Sequence, residues 1–196
     1  MIICLIGRPG SGKTTVANML RENGFTLVEM SDGIREHMRK DGIAITSDSI
    51  GKFAGESRVK YGKDIVAKWA MPSIMNAKGD VVISGVWSAE EIAYFKANLR
   101  DSVSIVFVDS PKEERFSRIM RGSGHDRSSR ENPAERATFE RKEAEQRDRG
   151  IEKAILESDF TVKNDGSIEQ LVASILRLIP EIKESKNKGM SGRDNA

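Results

Sequence analysis

Met1-Ile-Ile-Cys-Leu-Ile6-Gly7-Arg8-Pro9-Gly10-Ser11-Gly12-Lys13-Thr14-Thr15 opens the chain, and its two halves read differently. The first six residues are continuously apolar, the form of a strand buried on both faces. The apolar run stops at Gly7. From there Gly7 to Thr14 fits G-x-x-x-x-G-K-[ST], and a helical pattern with Val16, Met19 and Leu20 follows as far as Gly24. A chain of this length meets that pattern by accident roughly once in a hundred. The flanking strand and helix are the context the pattern requires.

Each residue type has a physical task. Glycines allow the backbone to turn its N–H groups inward and approach an anion closely. The start of the helix adds free donors and the positive end of its dipole. Lys13 supplies a point charge for β- and γ-phosphate oxygens, and the Thr14 hydroxyl is the natural ligand for Mg²⁺. Gly7, Arg8, Pro9, Gly10, Ser11, Gly12, Lys13, Thr14 and Thr15 are therefore the expected nucleotide-binding residues, with ATP the expected donor.

Outward from this stretch the pattern alternates. Phe25–Glu29, Val81–Ile83, Val103–Val108 and Asp159–Lys163 read as strands, separated by helical segments. Ser88-Ala-Glu-Glu91, Ser110-Pro-Lys-Glu113 and Ser167-Ile-Glu-Gln170 have capping-box spacing. Pro72 is expected to bend or break one helix, and the last helix to stop at Pro180, leaving 181–196 as a flexible tail. The class is α/β, a parallel sheet covered on both faces. Residues 112–149 carry 11 basic and 9 acidic side chains with few apolar anchors, and read as a solvated excursion.

Composition narrows the function. The 196 residues hold 32 basic and 30 acidic side chains, a net charge of +2, which argues against a nucleic-acid coat or a membrane-surface protein. One cysteine, Cys4, excludes an internal disulfide and a multi-thiolate zinc site. His37 and His125 lack metal-ligand spacing. No apolar run approaches the ~18 residues of a membrane span, and no leader pattern precedes the motif. The expected setting is the cytoplasm, the expected partner a small molecule, and oligomeric state stays open. No guanine motif of the GTPases is present, and no strand ends in the paired acids of motor or AAA-type ATPases.

The chain resembles the nucleoside-monophosphate-kinase group of P-loop proteins, most closely an archaeal family related to adenylate kinase and dephospho-coenzyme A kinase. The resemblance covers about residues 1–180. It rests on the P-loop, Ser31-Asp32-Gly33-Ile34-Arg35, Tyr61-Gly62-Lys63-Asp64-Ile65 and Ser84-Gly85-Val86. It rests also on Arg115-Phe-Ser-Arg118-Ile-Met-Arg121 and on Ser158-Asp159-Phe160 with Asn164-Asp165-Gly166. It implies a three-layer P-loop kinase fold with five parallel strands in the order 2-3-1-4-5. It also implies an acceptor-binding insertion over about 31–78 and a lid over about 121–149. Asp32, Arg35 and Arg58 would meet the acceptor, Asp32 also serving as base if that acceptor is an alcohol. Arg118 and Arg121 would act from the lid, with Arg130, Arg141 or Arg147 as the second lid arginine. Asn164 and Gly166 would border the adenine.

Two departures stand out. Relatives carry Asp-Gly-x-Arg where this chain has Ser84-Gly85-Val86-Trp87, so both an acid and an arginine are missing. Gly85 and Trp87 remain candidate acceptor contacts. The resemblance implies transfer of the γ-phosphoryl group of ATP to a nucleotide-like acceptor, first a nucleoside monophosphate. The alternatives are a hydroxyl kinase of the dephospho-coenzyme A type and a non-catalytic adenine-nucleotide sensor.

Overall fold

The computed structural model describes residues 1–99, 103–122 and 133–191. The opening strand β1 (Ile2–Ile6) pairs in parallel with β3 (Val81–Ser84) on one side and β4 (Val103–Asp109) on the other. Outside these lie β2 (Thr26–Glu29) and β5 (Phe160–Lys163), giving the expected order β2-β3-β1-β4-β5.

Strand periodicity explains the two faces. Ile3, Leu5, Val82, Val106 and Val108 point to one side and pack with α1 (Lys13–Glu22) and α9 (Ile168–Ser191). Cys4, Ile6, Ile83, Ile105 and Phe107 point to the other. There they meet α2 (Met30–Lys40), α3 (Ser47–Tyr61), α4 (Ile65–Asn76), α5 (Ala89–Leu99) and α8 (Ile151–Leu156). Layers of helix, sheet and helix result. The charged excursion forms α6 (Lys112–Gly122) and α7 (Pro133–Asp148).

Three expectations change. The last helix does not stop at Pro180; α9 runs to Ser191. Leu171, Ile175, Leu178 and Ile182 form one buried stripe across the proline, with Ile182 fully buried. That burial offsets the hydrogen bond the proline removes. Likewise, of the bend or break expected at Pro72, a break does not occur: α4 continues through it, with Ala70 and Ile74 buried on either side. The excursion, finally, is not wholly solvated: Phe116 and Phe139 are buried edge to face, beside a buried Arg115–Glu143 pair.

Of the three expected capping boxes, Ser167–Gln170 closes reciprocally. Ser88 Oγ accepts the Glu91 N–H, and the Glu91 carboxylate accepts the Trp87 N–H as well as that of Ser88. The Ser110 hydroxyl accepts from Arg118. A further box, Thr46–Ser49, starts α3.

Candidate active site

The loop after β1 takes the shape its glycines allow. Gly10 and Gly12 sit at φ +73° and +96°, in the left-handed region. Space is restricted too. A Cβ on Gly10 would meet the Arg115 carbonyl, and one on Gly12 the Asn164 side chain. The Ser11 Oγ is buried beneath the loop without a hydrogen-bond partner. Arg8 points away, its guanidinium gripping both carboxylate oxygens of Glu152 at 2.8 and 2.9 Å.

Lys13 folds along the loop. Its Nζ donates to the Gly7 carbonyl at 2.6 Å and the Arg8 carbonyl at 3.0 Å, and lies 5.0 Å from the centre of the Trp87 ring. Burial pushes its pKa down to about 8, and the Arg115 charge adds to the shift. Thr14 and Thr15 are both exposed; Thr14 faces the adjoining cavity and Thr15 lies outside its lining.

Asn164 ties the far side of the loop to the sheet. Its side chain donates to the Ser11 carbonyl at 2.8 Å and its N–H to the Asp109 carbonyl. Arg118 donates to the Ser110 hydroxyl and to the Asn164 carbonyl, both at 2.8 Å. Gly166, two residues on, packs against Gln170. Arg118 therefore lies beside the loop expected to border the adenine. Arg121 is exposed and folds back to the Ser117 carbonyl; Arg141 is exposed, and neither it nor Arg147 lines the cavity. Arg130 lies outside the described residues.

A cavity of about 420 Å³ opens from the phosphate loop toward α2, α3 and α4. Pro9, Gly10, Lys13 and Thr14 form its loop wall, and Ser84, Gly85 and Trp87 its floor after β3. Gly85 is at φ +90°, which turns the chain sharply there. Arg58 enters from α3. It is held by Glu91 at 2.7 Å, and the fully buried Glu91 also accepts the Trp87 N–H at 2.8 Å. Burial raises the pKa of Glu91, against the opposing pull of the Arg58 charge.

Asp32 and Arg35 are not in this cavity. Asp32 is 68% exposed and pairs with Arg35 at 2.8 Å, while Arg35 also bonds Ser31. The reason is the early start of α2: Met30 already begins the helix, so Asp32 lies in its first turn rather than in a loop. Glu29, the last residue of β2, lines the cavity instead, and Arg149 joins it from the turn after α7. Both were missed from sequence. Their signals were a carboxylate ending a strand and an arginine beside the candidates Arg141 and Arg147.

Arg115, from the motif within α6, has all three of its nitrogens engaged. Nε bonds the Ser110 carbonyl, Nη1 the Pro9 carbonyl at 3.1 Å, and the fork grips Glu143 at 2.6 and 2.9 Å. It braces the phosphate loop from behind.

Among the described residues no cluster of three or more His, Cys, Asp or Glu suits a metal ion, and no helix is long and apolar enough to cross a membrane. A Mg²⁺ ion would then depend on the Thr14 hydroxyl and a nucleotide's own oxygens, which is ordinary for this cation.

The geometry agrees with known proteins. An AAA domain family matches residues 6–137, although the paired acids expected at a strand end of AAA-type ATPases are absent. Solved structures of similar fold include the shikimate kinase from Acinetobacter baumannii in complex with shikimate, with a TM-score of 0.57 and 23% identity over 92% of this chain and 93% of that one. The shikimate kinase from Bacteroides thetaiotaomicron gives 0.59 and 15% identity over 93% and 98%. These likenesses establish a P-loop kinase fold. In sequence, the chain is 35% identical over 192 residues to the UPF0200/UPF0201 protein of Archaeoglobus fulgidus, covering 95% of itself but only 56% of that relative. It is 30% identical over 186 residues to a UPF0200 protein of Thermococcus kodakarensis, covering 93% of itself and 98% of the relative. With its phosphate loop, its strand order and these relatives in agreement, the chain belongs to the UPF0200 family.

Proposed function

We propose that the chain is an ATP-dependent phosphotransferase that moves the γ-phosphoryl group to a nucleotide-like small molecule. One observation carries this reading: a single cavity has the phosphate loop as one wall and α2–α4 as the other. Donor and acceptor would meet there without a second site. In this reading α2–α4 are the acceptor-binding insertion over about 31–78, and α6–α7 belong to the lid.

Phosphoryl transfer needs positioning and charge neutralisation more than covalent help. Loop amides and Lys13 would hold the β- and γ-phosphates. Thr14 would hold Mg²⁺, which neutralises developing charge on the same oxygens. Arg118, already fixed to Ser110 and Asn164, would close off the adenine side. Trp87 and the apolar wall of Ile34, Ile50, Ala54 and Val66 would keep water from the transferring group.

A nucleoside monophosphate and a hydroxyl-bearing acceptor are the two readings of the partner molecule. The first leans on Asp32 and Arg35, which lie off the cavity. The second is favoured by Glu29, the one carboxylate among the described residues on the cavity lining. A panel of monophosphates and alcohols with Mg-ATP tests the reading. Acceptor-dependent ADP release that disappears in Lys13→Ala supports it. Slow hydrolysis indifferent to every acceptor counts against it.

A further inference from the structure

Charge is distributed unevenly around the cavity. Arg58 and Arg149 share its wall, coming from α3 and from the turn after α7. The Arg58 side chain is 11% exposed; one terminal nitrogen reaches Glu91, and its Nε is buried with no hydrogen-bond partner. Among the described residues the nearest carboxylate to Arg149 is Glu145, a loose 3.8 Å away. Burial and the neighbouring Arg58 charge together lower the pKa of Arg149, so the two guanidiniums repel one another. Glu91 pairs with Arg58 from behind and its charge also attracts Arg149, but among the described residues no carboxylate bonds to both guanidiniums.

Glu29 stands on a different wall. Its register neighbour is Ser84, whose neighbour is Leu5, so it sits two strand spacings, about 10 Å, from β1. Among the described residues its side chain has no hydrogen bond or ion pair. A carboxylate here repels an acceptor phosphate but can accept a hydroxyl proton.

We infer that the cavity takes an anionic alcohol: Arg58 and Arg149 hold a carboxylate or phosphate on the acceptor, and Glu29 takes the proton of its hydroxyl. The inference rests on the phosphotransferase reading and names its substrate class. An oxyanion at the two arginines accepts the spare Nε–H and screens their repulsion with planar, charge-assisted bonds. In the transfer, the acceptor hydroxyl oxygen bonds to the γ-phosphorus of ATP. The bond from that phosphorus to the bridging oxygen breaks, its electron pair leaves with ADP, and the hydroxyl proton passes to Glu29. Glu91 is a positioning residue that fixes Arg58 toward this task.

The test keeps the two levels apart. With Mg-ADP saturating the loop, sodium malonate and inorganic phosphate are titrated calorimetrically into the wild type and Arg149→Gln. Saturable binding of either anion, weakened about tenfold or more in Arg149→Gln while Mg-ADP affinity stays within about twofold, supports the anchor. Malonate alone binding marks a carboxylate acceptor, phosphate alone a phosphate ester. Absence of any such binding, or equal binding in Arg149→Gln, overturns it. If Mg-ADP itself fails to bind the wild type, the phosphotransferase reading falls, and the anion titration still judges the anchor. Conversion of nucleoside monophosphates to diphosphates by Glu29→Gln overturns the alcohol assignment.

Discussion

Raising the pH should make the phosphate loop draw in a proton when it binds Mg-ADP. Lys13 is the cause. Buried against the loop and near Arg115, its ammonium has a pKa of about 8 instead of the ordinary 10.5. Polyphosphate contact supplies opposite charge and drives that value back up, so the lysine must be protonated in the complex. The uptake equals the fraction deprotonated beforehand: about 0.1 proton at pH 7, about 0.5 at pH 8 and about 0.9 at pH 9. Affinity should then fall by up to about tenfold per pH unit above 8. Stability moves the opposite way with pH. The unfolded chain holds this proton more tightly, so this lysine's contribution to stability grows from about pH 8 to its unfolded value and is absent below. Calorimetry in two buffers of different ionisation enthalpy measures the uptake, with Lys13→Ala as control. Uptake that stays flat from pH 7 to 9, or persists in Lys13→Ala, refutes the reasoning.

Other perturbations separate the roles of neighbouring residues. Glu29→Gln should lower acceptor-dependent turnover by about 10²-fold or more, whereas Asp32→Asn, on the exposed face of α2, should change it by less than about threefold; steady-state kinetics compares them. Gly10→Ala puts a methyl group against the Arg115 carbonyl at a positive φ, and should abolish Mg-ADP binding in the same calorimeter. Glu143→Ala strands a buried guanidinium and should cost about 3–5 kcal/mol in urea unfolding. Ile182→Ala should cost about 2–4 kcal/mol, because the helix beyond Pro180 is part of the core; a cost near zero would return that segment to solvent.

How much could be read in advance depended on how local each signal was. The phosphate loop is spelled in eight consecutive residues, and a buried strand followed by a helix is visible on either side of it. Strand order came from resemblance to a family, since periodicity says nothing about which strands are neighbours. The acceptor wall was harder. Glu29 and Asp32 are three residues apart, and the choice between them turns on whether α2 starts at Met30 or a turn later. Boundaries of that kind are set by packing of Met30, Ile34 and Met38 on the sheet, not by any cap in the sequence. Arg115 and Glu143 looked like two more charges on a solvated segment. Their pairing joins α6 to α7, and a count of charges along the chain contains no term for it. Pro180 misled for the converse reason: the local rule was sound, but the apolar stripe on both sides of it outweighs one missing donor.

The brace behind the phosphate loop has a consequence for anyone re-engineering this scaffold. Gly10, Arg115 and Glu143 come from three separate stretches of chain, yet each is packed or paired against the next. A glycine left without that arginine would be a slack hinge; an arginine left without that glutamate would be an ion trapped away from water. Grafting a foreign arm onto the sheet to reshape the cavity would therefore succeed only if all three were transplanted as a single cassette.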